Sequence, residues 1–178
     1  HFLFNNLNNL YSYAVEQSTK TPEIILGLSG VLRYMLYECR EPTVLLSKEI
    51  EHLRNFIQLY ELQIEGRGTV EFDTENIAEE YQISPLILSV FVENAFKHSQ
   101  SGQSDQIKIA LSITVNENGE LTFICHNNYF PMDSPMKGIG LENVRKRLNL
   151  LYPEQYELKI NQAEEEFFVT LKIKLSKA

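Results

Sequence analysis

"SPLILSVFVENAFKHS", residues 84–99, is the stretch on which the fold turns. It reads as a helix from its first residues. Ser84 is a plausible cap, and Pro85 stands at the first helical position, where its missing N–H has no helical partner to lose. The run is then almost wholly apolar, as a buried helix requires, until Glu93, Asn94, Lys97 and His98 interrupt it. Residues three and four apart share a helix face, so Asn94, Lys97 and His98 point to one place. An amide oxygen suits Mg2+, and an ammonium suits phosphate. A solvated helix end would use the same residues, so the motif alone leaves both readings open.

The chain changes character on either side of this helix. Before it, three helices are predicted from apolar steps of 3 and 4. Leu3, Leu7, Leu10 and Ala14 form the first stripe. Thr21 as cap and Pro22 open the second, with Ile25, Leu28, Leu32, Met35 and Cys39 on one face and Pro42 closing it. Ser47 caps the third, with Glu49 and Glu51 near its positive end. Ile50, Leu53, Ile57, Tyr60 and Ile64 follow at the same steps, and Gly66 and Gly68 end it. The first two stripes are seam-like, and a lone helical pair leaves such a stripe wet. Self-association into a four-helix bundle is therefore expected, against packing on the same chain.

"TVEFDT" (69–74) reads as a strand. After the helix, "QIKIALSITVNENGELTFICHNN" (106–128) alternates on both sides of Asn118-Gly119 and predicts a hairpin. "NNYFPMDSPMKG" (127–138) has no period and reads as a long loop. "GLENVRKRLNLLYP" (140–153) returns to helix, with Leu141, Val144, Leu148 and Leu151 inward. "YELKINQ" and "EEFFVTLKIKL" predict a second hairpin. The class is α+β, with a boundary near Gly66–Gly68. In "KGIGLENVRKRL" two glycines lead straight into a helix, whose free N–H groups favour an anion. A loop of that length before it fits a lid.

Bulk composition narrows the function. The chain has 178 residues, is 43% hydrophobic and carries a net charge of -8. That is ordinary for a globular protein, and the acidic balance argues against nucleic acid as a direct partner. Cys39 and Cys125 fit no metal spacing and read as two buried free thiols. No apolar run reaches the roughly 18 residues of a membrane span.

Together these pieces resemble the LytS-like sensor histidine kinases, whose catalytic half has the Bergerat ATP-binding fold. "HFLFNNLNNL" at the start looks like the family's phosphoacceptor box. "LRYMLYE" and "LSKEIEHLRNFIQLYELQ" resemble its linking helices, residues 84–99 its N box, and "GIGLENVRKRLNLLYP" its glycine box. The resemblance implies a helical hairpin for dimerisation and phosphotransfer over 1–66. An ATP-binding α/β sandwich, a mixed sheet with helices on one face, follows over 67–178. It implies that His1 is the phosphoacceptor, Asn94 the Mg2+ ligand, and Lys97 and His98 neighbours of the phosphates. Gly138, Gly140 and Leu141 fall beside the ATP lid. Arg145 and Arg147 lie on the next helix, toward phosphate or solvent.

Two departures stand out. Asn127 occupies the position of the acid that binds the adenine amino group, and Tyr129 that of a glycine. An amide oxygen accepts that bond without charge assistance, which leaves tight ATP binding open. Phe2, not an acid, follows His1, so the base is unassigned and Glu93 is the candidate. The implied activity is Mg-ATP-dependent autophosphorylation on histidine, passed to a response regulator. The implied setting is a homodimeric cytoplasmic domain of a parent anchored in a bacterial inner membrane. A chain starting at His1 places an α-amino cation at a helix N-terminus, which predicts weak autokinase activity for it. A dimeric signalling module with little nucleotide binding is the rival reading. An ATPase of the chaperone or topoisomerase type fits the helices less well.

Overall fold

The computed structural model describes residues 2–64, 66–75, 77, 80–99, 107–128, 139–163 and 165–177. Helices α1 (Phe2–Val15), α2 (Thr21–Tyr37) and α3 (Leu46–Gln63) come first. A two-residue strand β1 (Val44–Leu45) precedes α3. Then follow β2 (Gly68–Glu75), β3 (Tyr81–Ile83), α4 (Ser89–Ser99), β4 (Ile107–Val115), β5 (Glu120–Asn128), α5 (Ile139–Leu151), β6 (Tyr156–Gln162), β7 (Glu166–Lys174) and β8 (Ser176–Lys177).

The main sheet is mixed, in the order β2-β4-β5-β7-β6. β2 runs parallel to β4 and the other pairs are antiparallel. The alternation read from the sequence is the burial pattern. Ile107, Ile109, Leu111, Ile113 and Val115 of β4 face inward, as do Val169, Leu171 and Ile173 of β7. α4 lies on that inner face, where the Phe91 and Phe123 rings sit 5.9 Å apart. On the other face Ile124 and Phe168 stay exposed. Gly68 is needed where β2 meets β4, because a Cβ there would lie 2.1 Å from the Ile107 carbonyl oxygen. Gly119 closes the β4–β5 turn at φ +72, a conformation open to glycine.

A second, three-stranded sheet, β1-β3-β8, was not expected. Strands of two and three residues carry no period to detect. Three predicted helix starts also shift. α2 has Lys20, not Thr21, as its cap residue. α3 begins at Leu46 with Leu45 before it, so Ser47 lies in the first turn rather than capping it. α4 begins at Ser89 rather than at 84, because residues 85–88 form a turn with Leu86 at φ +60. A leucine in that region costs about 1 kcal/mol or more, so something else must hold it there.

The stripe on α3 is buried or half-buried as read. On α2 the face toward α3 is Ile24, Leu28, Val31 and Tyr34. Ile25 and Met35, of the stripe read as a bundle seam, are exposed beside Leu26 and Leu36. α1 likewise leaves Phe4, Leu7, Tyr11 and Val15 in solvent, Tyr11 being 73% exposed. On α5 the inward residue after Leu148 is Tyr152, not Leu151. Cys125 is buried and Cys39 half-buried, and both are free.

Candidate functional site

The inner row of β5 reads Leu121, Phe123, Cys125 and then Asn127. An amide thus occupies a core position, 1% exposed. Its orientation is fixed by its donors. Asn127 Nδ2 donates to Ser99 Oγ at 3.3 Å and to the Asn128 carbonyl at 2.8 Å. Ser99 Oγ donates in turn to the same carbonyl at 2.9 Å. Both partners are oxygens, so the amide oxygen must be the group left over. Asn127 Oδ1 has no hydrogen-bond partner among the described residues. A buried acceptor in that state costs free energy unless a ligand supplies a donor.

Ser99 ends α4, and Asn94 lies five residues earlier, about 7–8 Å back along the helix axis. Asn94 is half-buried, and its Nδ2 also lacks a partner among the described residues. Gly140, in the first turn of α5, sits across from it. A Cβ on Gly140 would meet Asn94 Nδ2 and Oδ1 at 3.8 Å and Val90 at 3.9 Å. Gly140 needs no left-handed backbone, and a Cβ there would stand in ordinary contact with Asn94 and Val90. Lys97, three residues after Asn94, is exposed on the same flank. His98 is half-buried, and burial together with the Lys97 charge holds its imidazole below the ordinary value. Leu141 packs against the core.

The other expected residues divide. Glu93 is exposed and turned toward α3, where burial and then the Glu93 charge push the Tyr60 hydroxyl up. Asn94 and Glu93 therefore serve different flanks of α4. Arg145 is exposed. Arg147 points to neither phosphate nor solvent. Its Nη2 donates to Ser84 Oγ at 3.0 Å and to the Pro85 carbonyl at 2.6 Å. His1, Tyr129 and Gly138 lie outside the described residues, as does most of the expected lid.

A second polar cluster was not seen in the sequence. Glu49, read there as a helix-end charge, is 0% exposed. Tyr34 donates its hydroxyl proton to Glu49 Oε2. The Leu86 N–H donates to the same oxygen at 3.0 Å. Burial pushes the Glu49 carboxyl up, against the pull of the Tyr34 hydroxyl, the Leu86 and Leu88 N–H groups and Arg147. The Ser84 N–H donates to the Tyr152 hydroxyl at 2.7 Å. His52 stacks on Tyr34 at 4.3 Å, 3% exposed, with neither ring nitrogen partnered among the described residues.

The family model for histidine kinase matches residues 1–67. Sensor protein LytS of Bacillus subtilis (strain 168) is 28% identical, over 90% of this chain and 29% of that protein. The chain is similar to LytS-like sensor histidine kinases. Sensor histidine kinase/phosphatase LytS of Staphylococcus aureus (strain Mu50) is 26% identical, over 72% of this chain and 22% of that protein. The chain thus spans less than a third of the length of these relatives. The histidine kinase domain of the Erythrobacter litoralis EL346 blue-light activated histidine kinase superposes with a TM-score of 0.57 at 15% identity. That match covers 85% of this chain and 72% of the other. The fold is therefore the α+β, Bergerat-type arrangement of histidine kinase domains. Among the described residues no helix is long and apolar enough to cross a membrane.

Proposed function

We propose that residues 1–178 are the kinase core of a LytS-like sensor: 1–66 dimerise and present His1, and 67–178 bind Mg-ATP. The observation that carries this reading is the pair of amides on α4 and β5. Asn94 Nδ2 and Asn127 Oδ1 are buried polar atoms without partners among the described residues, and Gly140 faces Asn94 without a side chain. In this reading the nucleotide's adenine amino group donates to Asn127 Oδ1 and its phosphates lie toward Asn94 and Lys97. The Asn94 amide oxygen is the hard kind of ligand that Mg2+ takes. When bound, Mg2+ neutralises charge on the phosphate oxygens.

His1 is the nucleophile in this scheme. An unperturbed imidazole titrates near ~6.5, so most of it is neutral and competent at pH 7. Its ring nitrogen forms a bond to the γ-phosphorus as the bond to the bridging oxygen breaks, and ADP leaves. Lys97 offsets the charge gathering on the phosphoryl oxygens. Glu93, on the flank toward α3, is the candidate base for the imidazole proton. The phosphoryl group then passes to an aspartate of a response regulator. The exposed stripes of α1 and α2 support a homodimer, since each buried leucine or isoleucine is worth about 1.5–3 kcal/mol. The domain works on the cytoplasmic side of a parent protein anchored in the inner membrane.

Calorimetry with ADP and Mg2+, followed by labelling with radioactive ATP, tests the reading. Binding and an acid-labile phosphohistidine at His1 are expected. No binding at millimolar nucleotide overturns it in favour of a dimeric module without catalysis. Sedimentation of Tyr11→Glu and Leu26→Glu variants tests the dimer, and both should shift toward monomer.

A further inference from the structure

α4 carries Asn94, and the turn that launches it is held by three helices. From the sheet side of α5, Arg147 binds Ser84 Oγ and the Pro85 carbonyl. Tyr152, just past α5, accepts the Ser84 N–H. From the helical hairpin, Glu49 of α3 accepts the Leu86 N–H, and Tyr34 of α2 bonds the same carboxylate oxygen. Leu86 is held in the left-handed region at φ +60. A leucine stays there only when its surroundings over-determine it.

Packing alone does not explain Glu49. An apolar side chain would fill a wholly buried position without the desolvation that a carboxyl suffers. Its second oxygen has no hydrogen-bond partner among the described residues, which adds to that cost. What the carboxyl does, and a leucine could not, is bind Tyr34 and the Leu86 amide at once. Those two groups belong to the hairpin and to the nucleotide-side unit.

We propose that Glu49 is a positioning residue. It clamps α2 and α3 to the turn before α4, so that the helices presenting the phosphoacceptor and the helix carrying Asn94 keep one relative placement. This rests on the kinase reading above. In the kinase reading nucleotide meets α4, β5 and α5, and Glu49 and Tyr34 hydrogen-bond none of these elements. Transfer, which needs both units aligned, depends on the clamp, and nucleotide binding does not.

The test compares Glu49→Ala, Glu49→Gln and Tyr34→Phe in the protein that carries residues 1–178. Single-turnover transfer from radioactive ATP to His1 is measured beside calorimetric ADP affinity. Glu49→Ala should slow transfer about tenfold or more and Tyr34→Phe about threefold or more, since each removes a buried hydrogen bond of the clamp. Gln keeps an acceptor oxygen and should stay within about threefold, with ADP affinity within about twofold throughout. Unchanged transfer in folded Glu49→Ala overturns the proposal. So does ADP affinity that falls in step with transfer, because Glu49 would then only support the nucleotide unit. If Glu49→Ala does not fold, Tyr34→Phe decides by the same criteria. If the unaltered protein forms no phosphohistidine, the kinase reading has failed, and amide hydrogen exchange still tests the clamp. Faster exchange confined to residues 84–99 in Tyr34→Phe supports it, and unchanged exchange there overturns it.

Discussion

Two polar clusters meet at α4 and the turn before it, and they are built on opposite terms. In the cluster at Asn94 and Asn127, the described residues leave one amide nitrogen and one amide oxygen unmatched, and Gly140 faces Asn94 without a side chain. In the cluster at Glu49, Tyr34, Arg147 and Tyr152, side chains from separate elements bond one another and the backbone of 84–86. The first arrangement costs folding free energy that a ligand can return. The second uses its polar groups to hold two parts of the chain in register. The second cluster also has unmatched atoms, Glu49 Oε1 and both His52 nitrogens among the described residues, but its matched groups join separate elements.

The difference is breakable. Asn94→Ala removes a side chain whose amide nitrogen has no partner among the described residues, so stability should hardly change. Phosphohistidine labelling should fall about 10²–10³-fold, the scale for losing one charge-stabilising group at a reacting centre. Labelling that survives would move Asn94 out of the site. His52 makes the opposite point, as a polar ring within the architectural cluster whose nitrogens bond nothing among the described residues. Burial holds it down to about 4 from 6.5. Between those values the native state binds fewer protons than the unfolded one, so His52 makes stability fall as pH drops from 6.5 toward 4. The full loss approaches about 3 kcal/mol. Glu49, held up by burial, has the reverse sign, since its native form keeps a proton the unfolded chain has released. The difference between wild type and His52→Phe cancels that contribution. Phe fits between the Tyr34 and Phe56 rings and should flatten the fall. Urea midpoints at about pH 7.5 and 5 that move together in both proteins would sink the assignment.

Asn127→Asp probes whether the missing acid is an accident. The substitution places a carboxylate oxygen where Nδ2 now donates to Ser99 Oγ and the Asn128 carbonyl. Ser99 can turn its proton to the new acceptor, but the carbonyl cannot. A loss of about 1–3 kcal/mol is expected in urea unfolding. An Asn127→Asp variant as stable as the unaltered protein would show that the amide is not specified by its neighbours.

What the sequence disclosed follows the same division. Asn94, Lys97 and His98 were visible because a helix repeats every few residues and the polar group breaks an apolar run. Asn127 was visible through the resemblance, at the strand end where the family's acid stands, and its burial was not. The clamp was invisible because its bonds join residues 15 to 68 positions apart, on separate elements. Glu49 near a helix start reads as a dipole charge, and Arg147 on an exposed-looking helix reads as solvent or phosphate. Ser84-Pro85 imitates a helix start so well that the left-handed Leu86 goes unnoticed. The apolar stripe of α2 was misplaced by about one residue for a related reason. That helix has two apolar faces, one for α3 and one left open, and period alone does not say which is which.

Gly140 separates room for a ligand from need of the backbone, with the smallest change. Its neighbours stand at ordinary contact distance from a Cβ, and its backbone is helical. Gly140→Ala should therefore fold, and the helix should gain up to about 1 kcal/mol, because Ala gives up less backbone freedom than Gly. The methyl group would stand in ordinary contact with the Asn94 amide, on the side where this reading places the ligand. ADP affinity should weaken about 3–10-fold while the melting temperature holds or rises. A variant that loses stability and affinity together would make Gly140 a structural residue. A variant that keeps its affinity would place the nucleotide away from Asn94, and the unmatched amide would need another ligand.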